Sequence, residues 1–242
     1  MPEAILLRLR IEGAGKADTR QLHGLACSLF EKDGDHAAQV KPFSVWPLSP
    51  DPMDPETGVI LRCAWLRENA ITFDPDTLAT VRLGARSCRI TGYERHQESF
   101  ESVMTGPKVG EAILSFRSPT FFAANGRRVI TPDPRLILGG YRRRWNESLP
   151  EASPYVIEDE VWTAAKRMVE LRSFDLRTVK RDGGHGTEVS GFVGTATLRA
   201  LSADLTDVFG PLLRFAPYCG TGAQTTHGFG ATTITFPRRG DG

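Results

Sequence analysis

The chain has 242 residues, 30 Lys+Arg against 29 Asp+Glu, with 40% hydrophobic and 24% charged residues. That balance describes one large or two small folded domains and excludes a disordered chain, while a net charge of +1 means that any nucleic-acid site must be local. No apolar run approaches the ~20 residues that cross a bilayer, the first residues lack the apolar core of a signal peptide, and Cys27, Cys63, Cys88 and Cys219 lie far apart without a C-x-x-C, which fits reduced thiols in a cytoplasmic protein.

Residues 4–11 alternate Ile5, Leu7, Leu9 and Ile11 with Arg8 and Arg10, the pattern of a half-buried strand. Gly13 and Gly15 break it. Leu22, Leu25, Ala26, Leu29 and Phe30 then recur at helical spacing, and Asp33-Gly34 ends that helix. Residues 41–48 are strand-like and lead into a turn rich in proline (Pro47, Pro50, Pro52, Pro55). Residues 59–66 and 70–73 read as further strands, 76–83 as a short helix, and 86–96 as a strand. This is the β-α-β-β-α-β order of a ferredoxin-like domain.

The polar stretch 97–110, with Gly106-Pro107 and no clear period, is the expected boundary. Beyond it the order repeats with insertions. Residues 111–118 form a strand, 134–145 a helix, and 158–171 a helix with Val161, Ala164, Ala165, Met168 and Leu171 on one face. A hairpin over 174–180 and 189–201 turns on glycines beside His185. An amphipathic helix carries Leu205, Val208, Phe209, Leu212 and Leu213, and a strand covers 231–236 before a loose tail. The expected fold is α+β, two tandem ferredoxin-like (RRM-like) domains over 1–100 and 108–242, with a glycine-rich loop before the last strand.

That loop, YCGTGAQTTHGFG at 218–230, places Gly220, Gly222, Gly228 and Gly230 between the last helix and the last strand. Glycines tolerate positive φ and let backbone N–H groups approach a phosphate; a tight helix-to-strand connection is the plainer alternative. The P-loop order is missing. A second feature is basic. Residues 108–147 hold eight Lys/Arg and three Asp/Glu, a cluster that is either an RNA surface or a solvated face. Asp51, Asp54 and Glu56 are interleaved with prolines and fit a turn better than a metal site.

The helix followed by G-x-G-x-x-T-x-x-G-F-G from Gly220 to Gly230 resembles the signature loop of the CRISPR repeat-processing endoribonucleases, a group built on ferredoxin-like domains. FRSPTFF at 116–122 followed by Pro132, Pro134 and Arg135, GFVGTAT at 191–197, and KPFSV at 41–45 resemble other segments of that family in the same order. The likeness covers nearly the whole chain and is thinner in the first 100 residues.

The resemblance implies cleavage of CRISPR repeat RNA in precursor transcripts by attack of the 2′-hydroxyl, leaving a 2′,3′-cyclic phosphate and a 5′-hydroxyl, with no cofactor and no catalytic metal. Such cleavage needs a base, an acid and a cation at the crowded phosphorane. By the resemblance, the catalytic histidine falls on His36, six residues before Pro42, and imidazole titrates in the right range. His23, on the first helix beside its apolar stripe, is the candidate second acid–base group; that helix has no tyrosine, and Cys27 follows one turn later. Lys41 is the candidate cation. His227 stands where relatives often carry an aliphatic residue, and with Gln224, Thr225, Thr226, Gly220, Gly222 and Gly228 it is a candidate RNA contact. Arg127 and Arg128 in a hairpin turn, Arg142, Arg143 and Arg144 on or after a helix, and Lys180 and Arg181 at a hairpin tip are expected to meet phosphates, since the deep major groove of A-form RNA limits side-chain readout. His96 and His185 read as surface residues.

Some members of this group bind RNA without cutting it, so a non-cleaving subunit of a CRISPR effector complex is the competing reading. A domain binding a small anion in the glycine loop is a third, which leaves the arginine clusters unexplained. A homodimer and hand-over of the product to an interference complex both stay open.

Overall fold

A computed structural model describes residues 1–12, 17–31, 41–69, 71, 73–74, 76–184 and 187–237. The expected breaks at Gly13, Gly15 and Asp33-Gly34, together with His36, His185 and the tail 238–242, lie outside the described residues. In β1 (Glu3–Ile11), Ile5, Leu7 and Leu9 are buried, while Arg8 and Arg10 turn outward to Asp51 and Asp54 at 2.7 and 2.9 Å. These ion pairs account for the carboxylates of the proline-rich turn.

α1 (Thr19–Phe30) starts where Asp18 accepts a 2.7 Å hydrogen bond from the Gln21 backbone N–H, an N-cap that satisfies an otherwise orphaned donor. Its apolar stripe packs on the sheet that β1 shares with β2 (Phe43–Val45), β3 (Ser49–Asp51), β4 (Asp54–Trp65), β5 (Thr80–Leu83) and β6 (Arg86–Gln97). The order is β2-β4-β1-β6-β5, every pairing is antiparallel, and β3 joins β4. Phe30 stacks on Phe43 and Trp65 at 5.3 and 5.7 Å within this core.

Two expectations fail here. The helix expected over 76–83 is a turn followed by β5, because Val81 and Leu83 are buried while Thr80 and Arg82 are exposed, a period of two. Gly84, at φ 64°, then closes a tight hairpin in which Leu83 faces Arg86. Ile71 and Phe73 lie outside any strand and pack against this core instead. The stretch 97–110 also holds a short helix, α2 (Phe100–Thr105), capped by Ser99 and anchored by buried Phe100 and Val103.

The second sheet is built of β7 (Glu111–Thr120), β10 (Val169–Asp182), β11 (Glu188–Ala200) and β12 (Thr232–Thr235), in the antiparallel order β10-β11-β7-β12. α3 (Pro134–Ser148) and α5 (Thr206–Cys219) pack together over its core, where Trp145 meets Phe215 edge-on at 5.2 Å. Asp133 caps α3 by accepting from the Arg135 and Leu136 N–H groups, with Pro134 as the first helical residue. With β8 (Phe122–Ala124), β9 (Arg127–Val129) and α4 (Asp159–Ala165) as insertions, this is a ferredoxin-like order, so the fold is the tandem arrangement expected. The helix expected over 158–171 ends at Ala165, because from Val169 the chain pairs with β11 opposite Ala200; Val161 and Met168 are exposed accordingly. No helix among the described residues is long and apolar enough to cross a membrane.

The two halves meet along α5 and the loop that follows it. Ser44 on β2 donates its hydroxyl to the Tyr218 carbonyl, and the Tyr218 hydroxyl donates to Glu98 at 3.1 Å. The β10–β11 tip also reaches α1: a Cβ on Gly184 would stand 2.8 Å from the Arg20 side chain.

Candidate RNA-processing site

The glycine loop is shaped by contacts within the protein. Gly222 and Gly230 have φ of 81° and 68°, and a Cβ on them would lie 2.2 Å from the Phe121 carbonyl oxygen and 1.9 Å from that of Thr221. The N–H groups of Thr221, Ala223 and Gly230 donate to Gly230, Phe121 and Pro119 at 2.8, 2.8 and 3.1 Å. These three donors are therefore spent on close backbone packing and are not open to a phosphate. Beneath the loop, Thr221 hydrogen-bonds to Tyr141 and Thr232 at 2.5 and 2.7 Å.

Between Gln224 and Gly228, both left-handed, Thr225–His227 make one 3-10 turn. Two half-buried cations hold it. Arg144 donates to Thr225 Oγ1 at 2.7 Å and to the Phe43 carbonyl at 2.9 Å, tying the loop to β2. Arg181 donates to the Gly228 carbonyl at 2.9 Å and lies over the Phe229 ring at 5.6 Å. Burial lowers the pKa of both guanidiniums, which still start far above neutrality. Gly228 leaves no room for a side chain, since a Cβ there would sit 2.7 Å from Leu22 of α1.

This turn is pressed against α1. The Thr226 carbonyl accepts from His23 Nδ1 at 2.9 Å, and the His227 ring stacks on the His23 ring, centroids 3.8 Å apart and planes 10° from parallel. Thr226 Oγ1 bonds to His227 Nδ1 at 3.0 Å, and the His227 pKa falls to about 4, chiefly through burial and then through His23. Cys27, one turn along, has its thiol pushed up to about 12 by burial and by Glu31. Both histidines line an open groove of about 670 Å³, with Arg20, Gln21, Ser28 and Arg82.

The other candidates divide. Lys41 pairs with buried Glu31 at 2.5 Å. Arg142 is turned to the Ile157 carbonyl and Asp159, both at 2.8 Å, while Arg143 is exposed on α3. Arg127 and Arg128 belong to β9 rather than to a turn; Asn125 and Gly126, at φ 50° and 71°, supply the turn. The Arg128 guanidinium lies 5.0 Å from the centre of the Phe121 ring, and Phe121 meets Phe229 edge-on, so this hairpin abuts the glycine loop. Lys180 is exposed and paired with Glu188 at 2.9 Å, near the end of β10 but short of its tip. Neither Arg20 nor Arg82 was anticipated. Arg20 was findable, three residues before His23 on α1, whereas Arg82 was hidden by reading its strand as a helix.

Fold and loop together define a protein of tandem ferredoxin-like domains with a glycine-rich loop before the last strand. Residues 114–232 match the sequence model of the family described as CRISPR-associated endoribonuclease Cas6. The chain is similar in structure to Cas6 (TTHB231) in a product complex, 26% identical with a TM-score of 0.80, covering 97% of this chain and 100% of that one. The structure titled Thermus thermophilus Cas6 (TTHB231) is 28% identical with a TM-score of 0.75, covering 97% and 98%. Cas6 (TTHA0078) with a substrate mimic is 25% identical, also at 0.75, covering 97% and 100%. Among curated proteins, none matches the chain. The chain is thus similar in structure to Cas6 proteins along nearly its whole length, and the family's sequence model matches most of its second half.

Proposed function

We propose that this protein is a metal-independent endoribonuclease that cleaves CRISPR repeat RNA in precursor transcripts and releases guide RNAs. The 2′-hydroxyl of the RNA attacks the adjacent phosphorus and the 5′-oxygen departs, leaving a 2′,3′-cyclic phosphate and a 5′-hydroxyl. His36 and His23 share the acid and base roles, and Lys41, steadied by Glu31, is the cation for the phosphorane. The reading assigns His36 to a first domain over 1–100 and the RNA surface to a second over 108–242. Exposed Arg127, Arg128, Arg143 and Lys180 meet phosphates, while Arg144 and Arg181 hold the loop in shape.

The observation that carries this reading is the meeting of α1 and the glycine loop at the groove: His23 is hydrogen-bonded to Thr226 and lines a groove that Arg20 and Arg82 also line. An acid–base group sharing a groove with two cations is the equipment phosphodiester cleavage needs. The relatives whose structures are titled as product and substrate-mimic complexes support an RNA partner.

The test is cleavage in EDTA of the host's own CRISPR repeat RNA, with wild type, His36→Ala and His23→Ala, and with product ends mapped. Site-specific cutting with a cyclic-phosphate end, lost in His36→Ala while binding persists, is expected. Tight binding without cutting by the wild type would move the protein to the non-cleaving class. Undiminished cutting by His36→Ala would keep the activity and reject the site.

A further inference from the structure

The surroundings of His23 determine more than its position. A carbonyl oxygen can only accept, so the 2.9 Å contact with Thr226 requires the proton on Nδ1. In the neutral ring the lone pair is then on Nε2. Cys27 Sγ is 3.4 Å from Nε2 and 3.9 Å from Nδ1. An atom on the in-plane lone pair of Nε2 would be much farther from Nδ1 than from Nε2; near-equal distances put the sulfur over one face of the ring. The other face is covered by His227 at 3.8 Å. The ring is thus clamped between a thiol and an imidazole and fixed at Nδ1. Apart from Cys27 Sγ, which lies off the ring plane, no hydrogen-bond partner of Nε2 is found among the described residues, and His23 lines the groove.

We infer that His227 is a positioning residue that holds the His23 imidazole as the Nδ1–H tautomer with Nε2 available to a ligand in the groove. The stack fixes the ring plane and so keeps Nδ1 aimed at the carbonyl one residue earlier in the same turn, which in turn fixes the tautomer. His227 suits the task because Thr226 Oγ1 engages its Nδ1 and because the turn is closed at Gly228, where a side chain would strike Leu22. The catalytic meaning of this arrangement rests on the reading of His23 as an acid–base group in RNA cleavage, whereas the tautomer and ring orientation do not.

The experiment compares wild type, His227→Ala and His227→Phe, with His23→Ala to assign signals. Nitrogen-15 NMR of histidine-labelled protein reports the His23 tautomer, and single-turnover cleavage with a separate RNA-binding measurement reports its use. In wild type, His23 shows a protonated Nδ1 and a bare Nε2. His227→Ala mixes the tautomers and slows cleavage at saturating RNA roughly tenfold or more, as expected for lost orientation; His227→Phe recovers most of both. Unaltered His23 signals in His227→Ala would overturn the inference. Equal defects in the Phe and Ala variants would also overturn it, since the stacked ring would not be the device. A wild type with the expected tautomer that cuts no repeat RNA would instead sink the proposed function and leave the positioning intact. Should the Ala variant not fold, the Phe variant decides: a wild-type His23 tautomer supports the inference, and a mixed one rejects it.

Discussion

Arg144 joins the two halves of the molecule through one guanidinium, donating at 2.7 Å to Thr225 Oγ1 in the glycine loop and at 2.9 Å to the Phe43 carbonyl on β2. Truncation to Arg144→Ala leaves both acceptors without this donor. We expect a loss of about 2–4 kcal/mol in urea unfolding. Arg144→Lys should restore only part of it, because an ammonium on a single carbon lacks the planar fork that meets two acceptors. Full stability in Arg144→Ala would show that the loop is held otherwise.

Lys41 and Glu31 form a second linked pair, with only 14% and 3% of their side chains exposed. Lys41→Ala removes the cation beside a buried carboxylate and should cost about 3 kcal/mol. Adding Glu31→Gln should return much of that loss, which a double-mutant cycle measures. A loss of cutting in Lys41→Ala is evidence for the phosphorane role only once this stability term has been separated.

Glycines of this chain differ sharply in what they tolerate. At Gly230, φ is 68° and a Cβ would stand 1.9 Å from a backbone oxygen, so Gly230→Ala should cost more than about 3 kcal/mol or prevent folding. Gly24 lies on α1 with nothing within 4 Å of a Cβ, so Gly24→Ala should stabilise by about 0.5–1 kcal/mol. Thermal melts of the two variants should move in opposite directions.

The depressed pKa of His227 makes stability depend on pH. Its folded value, about 4, is below the ordinary 6.5, so the folded protein binds fewer protons than the unfolded chain between those values. The contribution is complete above about pH 6.5 and is lost as the pH falls toward and through 4. The loss should be on the order of 1–2 kcal/mol once solvent screening of this partly exposed group is allowed for. His227→Phe should lose that part of the slope in urea midpoints measured from pH 7 to pH 4; an unaltered slope would assign it to other groups.

All four cysteines are free and buried, and desolvation raises each thiol, Cys27 and Cys219 to about 12. A thiol reagent at pH 8 should label none of them within minutes in the native protein and all four after unfolding. Rapid native labelling of Cys27 would mean that α1 and the glycine loop separate readily.

The sequence by itself determined the features written in local periodicity. The alternation of β1, the apolar stripes of α1 and α5, and the glycines before β12 each record which face is buried, and that record needs no distant partner. It misled where a short segment was compatible with two periods, at β5 and beyond α4, because strand pairing with β6 and β11 decided the outcome. Only the tertiary structure decided what the basic residues and histidines do. Arg142 and Arg144 belong to a run of three arginines that looks like a surface patch, yet both turn inward to carbonyls and side chains of other segments. His23 lies 203 residues from Thr226, and nothing local to either announces that they share a hydrogen bond or that a second imidazole covers the first. Burial leaves a pattern along the chain, whereas the partner of a polar group is fixed only when separate elements are packed together.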